Sequence, residues 1–141
     1  MVATDYPDFE GPKQKLYLTP EWGALVGVDK NIVGNALNKA PATSLTISHI
    51  VPAGKQLYLT QFSCVGQANL AADAELNQMV IALLYDLTAL TSLYWIGGNG
   101  GAMAPLSKPI VIPAGHQVDA IITNRSNHNC DLWGGFGGYE V

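Results

Sequence analysis

The sequence predicts an all-β protein: an antiparallel two-sheet sandwich over residues 44–141, preceded by an N-terminal arm over residues 1–43. Residues 44–141 contain short runs in which apolar and polar residues alternate, which is the pattern of half-buried strands. Turns rich in Gly and Pro separate these runs, and one Pro-Ala-Gly turn occurs twice. Apolar residues make up 48% of the chain, which is enough to fill one hydrophobic core.

The first 43 residues differ in pattern from the rest and predict little regular structure. Prolines interrupt them early, and no two-residue period persists. Thr19-Pro20-Glu21 is typical of a helix start, because a hydroxyl side chain caps the first turn and proline suits its first position. Gly23 and Gly27 keep that helix short. Residues 29–38 are expected to form a further helical turn or two.

We interpret residues 1–43 as an arm that docks on a neighbouring molecule. A strap lying across its own domain is the alternative that the sequence leaves open. Large apolar side chains in the arm are the candidate docking residues. They are Tyr6, Phe9, Leu16, Tyr17 and Trp22.

From Ser44 onward the alternation predicts strands, bounded by turn residues. The predicted strands cover residues 44–51, 55–66, 77–87, 90–96, 109–112 and 117–123, with one bent or two short strands in 130–141. The intervening segments are expected to be loops. They are residues 67–76, with a helical turn in 68–74, the glycine-rich residues 97–101, and residues 124–129.

A repeated corner gives the first indication of topology. Val51-Pro52-Ala53-Gly54 and Ile112-Pro113-Ala114-Gly115 each lead a strand into a tight turn and out into another strand. Seven or eight strands with a repeated corner are typical of a jelly-roll sandwich. A favourable turn also recurs by chance, so the repeat supports the strand corners more strongly than it supports the topology.

Charge limits the classes of partner. Only 13% of residues are charged, against about 25% in a typical domain. The net charge of −4 and the lack of a basic cluster argue against nucleic acid. No apolar run approaches the roughly 20 residues of a membrane-spanning helix, and the acidic N-terminus lacks a secretory signal. So little charge indicates a surface covered by other subunits, or one made of uncharged polar residues.

One predicted strand is apolar on both faces. Residues 79–85 read Met-Val-Ile-Ala-Leu-Leu-Tyr, whereas a sandwich strand needs only one apolar face. The second face requires cover from the arm or from another subunit, and we prefer a homo-oligomer. The candidate residues for subunit or core packing are Met79, Ile81, Leu83 and Tyr85.

The sequence offers no recognisable catalytic, metal or cofactor site, and we predict no enzyme activity. His49, His116 and His128 are not paired at metal-ligand spacing. We expect ordinary hydrogen bonds for them, although His49 and His116 both lie beside a Pro-Ala-Gly turn. No nucleophile motif or phosphate-binding glycine loop is present.

Two smaller features have alternative interpretations. Asn127, Asn129 and Asp131 offer oxygens to a calcium ion, but a polar hairpin loop explains them at least as well. Cys64 and Cys130 lie in predicted strands, and we expect two buried free thiols rather than a disulfide.

The stretch from Trp133 to Tyr139 combines aromatic residues with glycines. Trp133, Phe136 and Tyr139 are candidates for a platform that stacks on sugars. The preferred interpretation is a bulged core strand, in which glycine makes room for neighbouring rings.

Residues 50–141 resemble small jelly-roll proteins of tailed-phage virions. The likeness lies in the corner over residues 51–60, the second corner over residues 112–124, and the ending over residues 133–141. Cupin enzymes share the roll, but their histidine-rich metal motifs are missing from this sequence.

The resemblance implies a virion structural protein, made in the host cytoplasm. A capsid decoration, or cement, protein of this type binds and stabilises the capsid shell as a homo-oligomer, often a trimer. The arm would contact the major capsid protein or other virion proteins. The alternative is a tail-fibre, neck-fibre or baseplate domain that binds host glycans.

Overall fold

The computed structural model describes residues 28–141, so the predicted helix start at Thr19 and the five candidate docking residues lie outside the described part. Eight strands follow one another along the chain. They are β1 (Val28–Lys39), β2 (Ser44–Ile50), β3 (Leu57–Ala68), β4 (Met79–Asp86), β5 (Thr91–Asn99), β6 (Gly101–Ile112), β7 (Gln117–Asn124) and β8 (Cys130–Glu140). A 3₁₀ turn at Ala71–Asp73 lies between β3 and β4.

The strands form two antiparallel four-stranded sheets. The first sheet has the order β1-β8-β3-β6, and the second has the order β2-β7-β4-β5. Every strand pair is antiparallel. The predicted all-β sandwich is therefore confirmed in its class and in its two sheets.

Both sheets contribute to one hydrophobic core. Phe62 and Phe136 come from the first sheet, and Val80, Leu84 and Ile122 from the second; all are at most 2% exposed. Successive residues of a strand point to opposite faces, so every second residue enters the core. The core thus lies between the sheets, as the alternation in the sequence requires.

Strand β1 corrects the interpretation of the arm. Residues 29–38 are not helical, and the prediction of little regular structure is wrong for residues 28–39, which pair with β8. Ile32 packs against the core while its neighbour Val33 is 66% exposed. Pairing with β8 and this one-sided burial override the weak local preferences of an Asn-containing segment.

The predicted glycine loop is also wrong in part. Strand β5 continues to Asn99 and β6 begins at Gly101, so the chain turns tightly at Gly100. A Cβ on Gly97 would lie 2.9 Å from the Val80 carbonyl oxygen. Glycine is therefore needed there for close strand pairing, and its frequency reflects packing rather than a flexible loop.

Strand β6 is longer than the predicted strand over residues 109–112. Its prolines, Pro105 and Pro109, interrupt the sequence pattern. Because β6 is an edge strand of the first sheet, its sequence tolerates prolines, which cannot donate a ladder hydrogen bond.

Replacement of Phe136 tests its place in the core. Phe136→Ala should lower the free energy of unfolding by about 3–5 kcal/mol, because it leaves a cavity between the sheets. Met103→Ala, at a side chain that is 75% exposed, should change it by less than about 0.5 kcal/mol. Urea unfolding of both variants measures the difference, and a loss for Phe136→Ala as small as that for Met103→Ala would contradict the assigned core.

Candidate functional site

The two Pro-Ala-Gly corners lie against each other. The first joins β2 to β3 and the second joins β6 to β7, so each carries the chain from one sheet to the other. The Val51 N–H donates to the His116 carbonyl at 2.9 Å, and the Gly115 N–H donates to the Val51 carbonyl at 2.8 Å. Gly54 and Gly115 have φ values of 76° and 80°, which favour glycine.

His49 and His116 do not share a site, because each pairs with a different carboxylate. His49 Nε2 lies 2.5 Å from Glu140 Oε2, and His116 Nδ1 lies 2.8 Å from Asp86 Oδ2. The pair of His49 and Glu140 joins β2 of the second sheet to β8 of the first. Within residues 28–141, no group of three or more His, Cys, Asp or Glu side chains is placed to hold a metal ion.

The Glu140 carboxyl is nearly buried and has a pKa below its ordinary value. Burial alone raises the pKa of Glu140, but hydrogen bonds and charge interactions with His49 and Lys30 outweigh burial. Lys30 Nζ lies 3.4 Å from Glu140 Oε1. This carboxylate therefore connects β1, β2 and β8 in its charged form.

The Asp86 carboxyl is also nearly buried, and its pKa is likewise lowered. Burial raises the pKa of Asp86, and hydrogen bonds from the Ala89 N–H, His116 and the Thr88 N–H outweigh that effect. The Ala89 and Thr88 N–H groups donate to Asp86 Oδ1 at 2.9 and 3.0 Å. Asp86 thus holds the turn that follows β4.

Two of the three candidate calcium ligands, Asp131 and Asn129, have side chains that are hydrogen-bonded within the protein. Asp131 Oδ1 accepts hydrogen bonds from the Asn38 N–H at 2.8 Å and from Asn69 Nδ2 at 3.0 Å. Asn129 Nδ2 donates to Asn38 Oδ1 at 2.8 Å. This geometry favours the polar-loop interpretation, in which the side chains fix the loop beside β8.

Asn124 has a structural role that the sequence did not predict, although Asn124-Arg125-Ser126 fits the glycosylation triplet, which we discount. It is fully buried at the end of β7, and its Nδ2 donates to the Lys39 and His128 carbonyls at 2.9 and 2.8 Å. Its Oδ1 accepts from the Ser126 N–H at 2.9 Å. The sequence signal for its burial is its position two residues beyond Ile122, which places it on the inward face of the alternating strand.

Cys64 and Cys130 are buried free thiols, as predicted. Burial raises the pKa of the Cys64 thiol and outweighs a hydrogen bond with the backbone of Ala102 that lowers it. Both residues belong to the core cluster.

The three rings of the candidate sugar platform are not brought together. Phe136 is 2% exposed and points into the core, as the core-strand interpretation expected. Trp133 and Tyr139 lie on the outer face of the first sheet, with Gly135 and Gly137 between them. Tyr139 stacks on Tyr58, with ring centroids 5.1 Å apart and planes at 4°.

Trp133 instead forms part of an open groove of about 520 Å³ on the outer face of the first sheet. Its lining includes Val33 and Asn35 from β1 and Ser63 and Val65 from β3. Met103, on the same face, is 75% exposed. The first sheet therefore carries apolar side chains on its outside as well as in the core.

The candidate packing residues of β4 lie on its outer face. Val80, Ala82 and Leu84 are fully buried between the sheets. Ile81, Leu83 and Tyr85 alternate with them and are half-buried, and Met79 is 41% exposed. The strand is therefore apolar on both faces in the folded protein, and its outer face lacks full cover within residues 28–141.

A row of side chains crosses all four strands of the second sheet on this outer face. Thr46 pairs with Ile121, Ile121 with Leu83, and Leu83 with Trp95. Trp95 is 56% exposed. Ile121 and Trp95 were not among the predicted site residues, because their place beside Leu83 depends on the register of three strands.

The rows on either side of this one are mainly polar and uncharged. One consists of Ser48, Asp119, Tyr85 and Ser92, and the other of Ser44, Thr123, Ile81 and Gly97. Asp119 is the charged residue among the outward positions of these four strands, and it is only 6% exposed. Gln117 Nε2 donates to its Oδ1 at 2.9 Å. We refer to the three rows together as the β4 face.

A comparison of the sequence with protein-family models and with curated proteins gave no match. Among the described residues, no helix has the length and apolar character needed to cross a membrane.

The two carboxylates give an expected pH dependence. Their pKa values fall on folding from ordinary values of 4.5 for Glu140 and 3.8 for Asp86. Each therefore stabilises the fold fully above its ordinary pKa, and the contribution is lost as the pH falls through the lower value of the folded state. The free energy of unfolding should decrease between about pH 5 and about pH 3.

Glu140→Gln should make this decrease less steep, because it removes one of the linked protons. Urea unfolding at a series of pH values measures the slope. Glu75→Gln, at an exposed carboxylate outside both pairs, is the control. Equal slopes for Glu140→Gln and the wild type would contradict the assigned role of Glu140.

Proposed function

We propose that this chain is a structural protein of a virus particle, and specifically a capsid decoration protein that binds and stabilises the shell as a homo-oligomer. The β4 face is the observation that carries the proposal. It exposes apolar side chains on a chain of which only 13% is charged. Apolar patches of this kind are typical of surfaces that other proteins cover.

The strand order supports a jelly roll as the finer description of the fold. A jelly roll has eight strands in two four-stranded sheets, built from two Greek keys. In the first sheet the first and last strands are neighbours, β1 beside β8. Both Pro-Ala-Gly corners carry the chain from one sheet to the other.

Residues 1–27 are the proposed contact with the major capsid protein or other virion proteins. They precede β1, which is an edge strand of the first sheet. Fully extended, 27 residues span at most about 97 Å. Such a length gives one subunit access to neighbouring capsid proteins, and the candidate docking residues lie within it.

Truncation tests the arm. The deletion has to stop before β1, because β1 is part of the first sheet. Deletion of residues 1–27 keeps all eight strands, so the protein should still unfold cooperatively but should no longer co-sediment with particles. Deletion of residues 1–39 removes β1 and exposes the edge of β8, so it should also lower stability. Particle binding by the shorter truncation at the full-length level would contradict the proposed arm.

A glycan-binding domain of a tail fibre or baseplate is the second candidate, favoured by the groove beside Trp133. In this groove the Asn35 amide and the Ser63 hydroxyl offer hydrogen bonds to a sugar, and the indole ring of Trp133 offers an apolar surface. The second candidate uses Trp133 without Phe136, because Phe136 lies in the core.

A glycan array distinguishes the two candidates. If the groove binds sugars, Trp133→Ala should reduce binding at least tenfold, because it removes the ring. Trp95→Ala, on the opposite sheet, is the matched control and should bind as the wild type does. No binding by the wild type, or unchanged binding by Trp133→Ala, would reject the groove as a sugar site.

A further inference from the structure

We propose that the β4 face is a self-association surface, on which a second copy of this chain packs about a two-fold axis to form a dimer. The inference rests on the proposed function, because the proposed decoration protein is a homo-oligomer. It names the surface, the partner and the symmetry, none of which follows from an assembly role alone.

The first argument is the arrangement of the β4 face. Its apolar side chains are contiguous, because Ile121, Leu83 and Trp95 are paired neighbours across three strands. Ile81 and Tyr85 extend this centre along β4. Hydroxyl side chains border it on the β2 and β7 side, where Ser44, Thr46, Ser48 and Thr123 face outward. An apolar centre with an uncharged polar rim is typical of protein–protein interfaces.

The second argument is charge. In a two-fold contact each patch meets its own copy, so like charges on the patch would oppose each other. The β4 face presents Asp119 as its charged residue, and Asp119 is 6% exposed and hydrogen-bonded to Gln117. Two copies of the face therefore meet without exposed like charges. The outer face of the first sheet differs, since Asp29 pairs with the outward Tyr139 there and is exposed.

The third argument is area. Strands about 4.8 Å apart, with about eight residues at about 3.3 Å each, give a four-stranded face of roughly 500 Å² in projection. Projecting side chains raise its accessible area above that value. The smallest specific interfaces bury about 600 Å² on each partner. With its side chains projecting, the outer side of the whole second sheet, of which the β4 face is the centre, is therefore close in area to a small specific interface. Trp95 at its edge supplies the large aromatic side chain that such interfaces favour.

Symmetry distinguishes two ways in which a second copy can cover the face. The groove beside Trp133 lies on the other sheet, on the opposite side of the sandwich. Packing the β4 face of one copy onto the groove of the next would stack copies head to tail without closing. Packing the β4 face onto itself closes after two copies. The two-fold contact therefore buries the apolar side chains of the β4 face and leaves the first sheet available for other virion proteins.

Sedimentation velocity of the full-length chain over about 1–200 µM tests the proposal, a range suited to a small interface. The monomer has a mass of 15.0 kDa. The wild type should approach a dimer of about 30 kDa. Leu83→Glu and Trp95→Glu should each weaken association at least tenfold, because they place two like charges in the contact.

Met103→Glu is the matched control, because it places the same charge at an exposed apolar residue of the opposite sheet. It should dimerise as the wild type does. Trp95→Glu changes an exposed side chain, so it remains informative if Leu83→Glu lowers stability; circular dichroism and urea unfolding check the fold of each variant.

Three results would overturn the inference. They are a wild type that stays monomeric over the whole range, a trimer of about 45 kDa, and dissociation by Met103→Glu but not by the two β4-face variants. Particle binding is measured separately. A dimer that forms through the β4 face but never binds particles would contradict the proposed function. It would still support the β4 face as the self-association surface.

Discussion

The contact between the two Pro-Ala-Gly corners is the constraint on which the rest of the structure depends. Each corner carries the chain from one sheet to the other, and hydrogen bonds of Val51 with Gly115 and His116 hold the corners together. The pair of His49 and Glu140 joins the sheets near the same end of the sandwich. With the sheets fixed in this way, every strand presents one face to a shared core, and the other face is left for solvent or for a partner.

Strand β4 shows the consequence of this constraint most clearly. Its inward residues are fully buried, yet its outward residues are apolar as well. The same holds in weaker form on the first sheet, where Val33, Val65 and Met103 are exposed. Because a stable core needs only one face of each strand, the second set of apolar residues is not required for folding. We propose assembly as its explanation, and the β4 face therefore carries both the proposed function and the proposed dimer.

The parts of this fold that depend on local pattern were predictable, and the parts that depend on pairing were not. Alternation and turn residues predicted seven of the strand regions and both corners. Strand β1 was missed because its Asp and Asn residues give no strand pattern, and only β8 makes it a strand. The residues of the β4 face also fall into these two groups. The outward position of Leu83 is predictable from the sequence of β4 itself. Ile121 and Trp95 become its neighbours only through the register of β7 and β5.

The central claim is that the β4 face is covered when the protein is assembled. The most direct measurement is acrylamide quenching of Trp95 fluorescence in a variant with Trp22→Phe and Trp133→Phe, so that Trp95 is the remaining tryptophan. Its ring is 56% exposed in the single chain. We expect strong quenching at low protein concentration and at least severalfold protection as subunits associate, because the partner excludes the quencher. Equal quenching at every protein concentration would contradict the account.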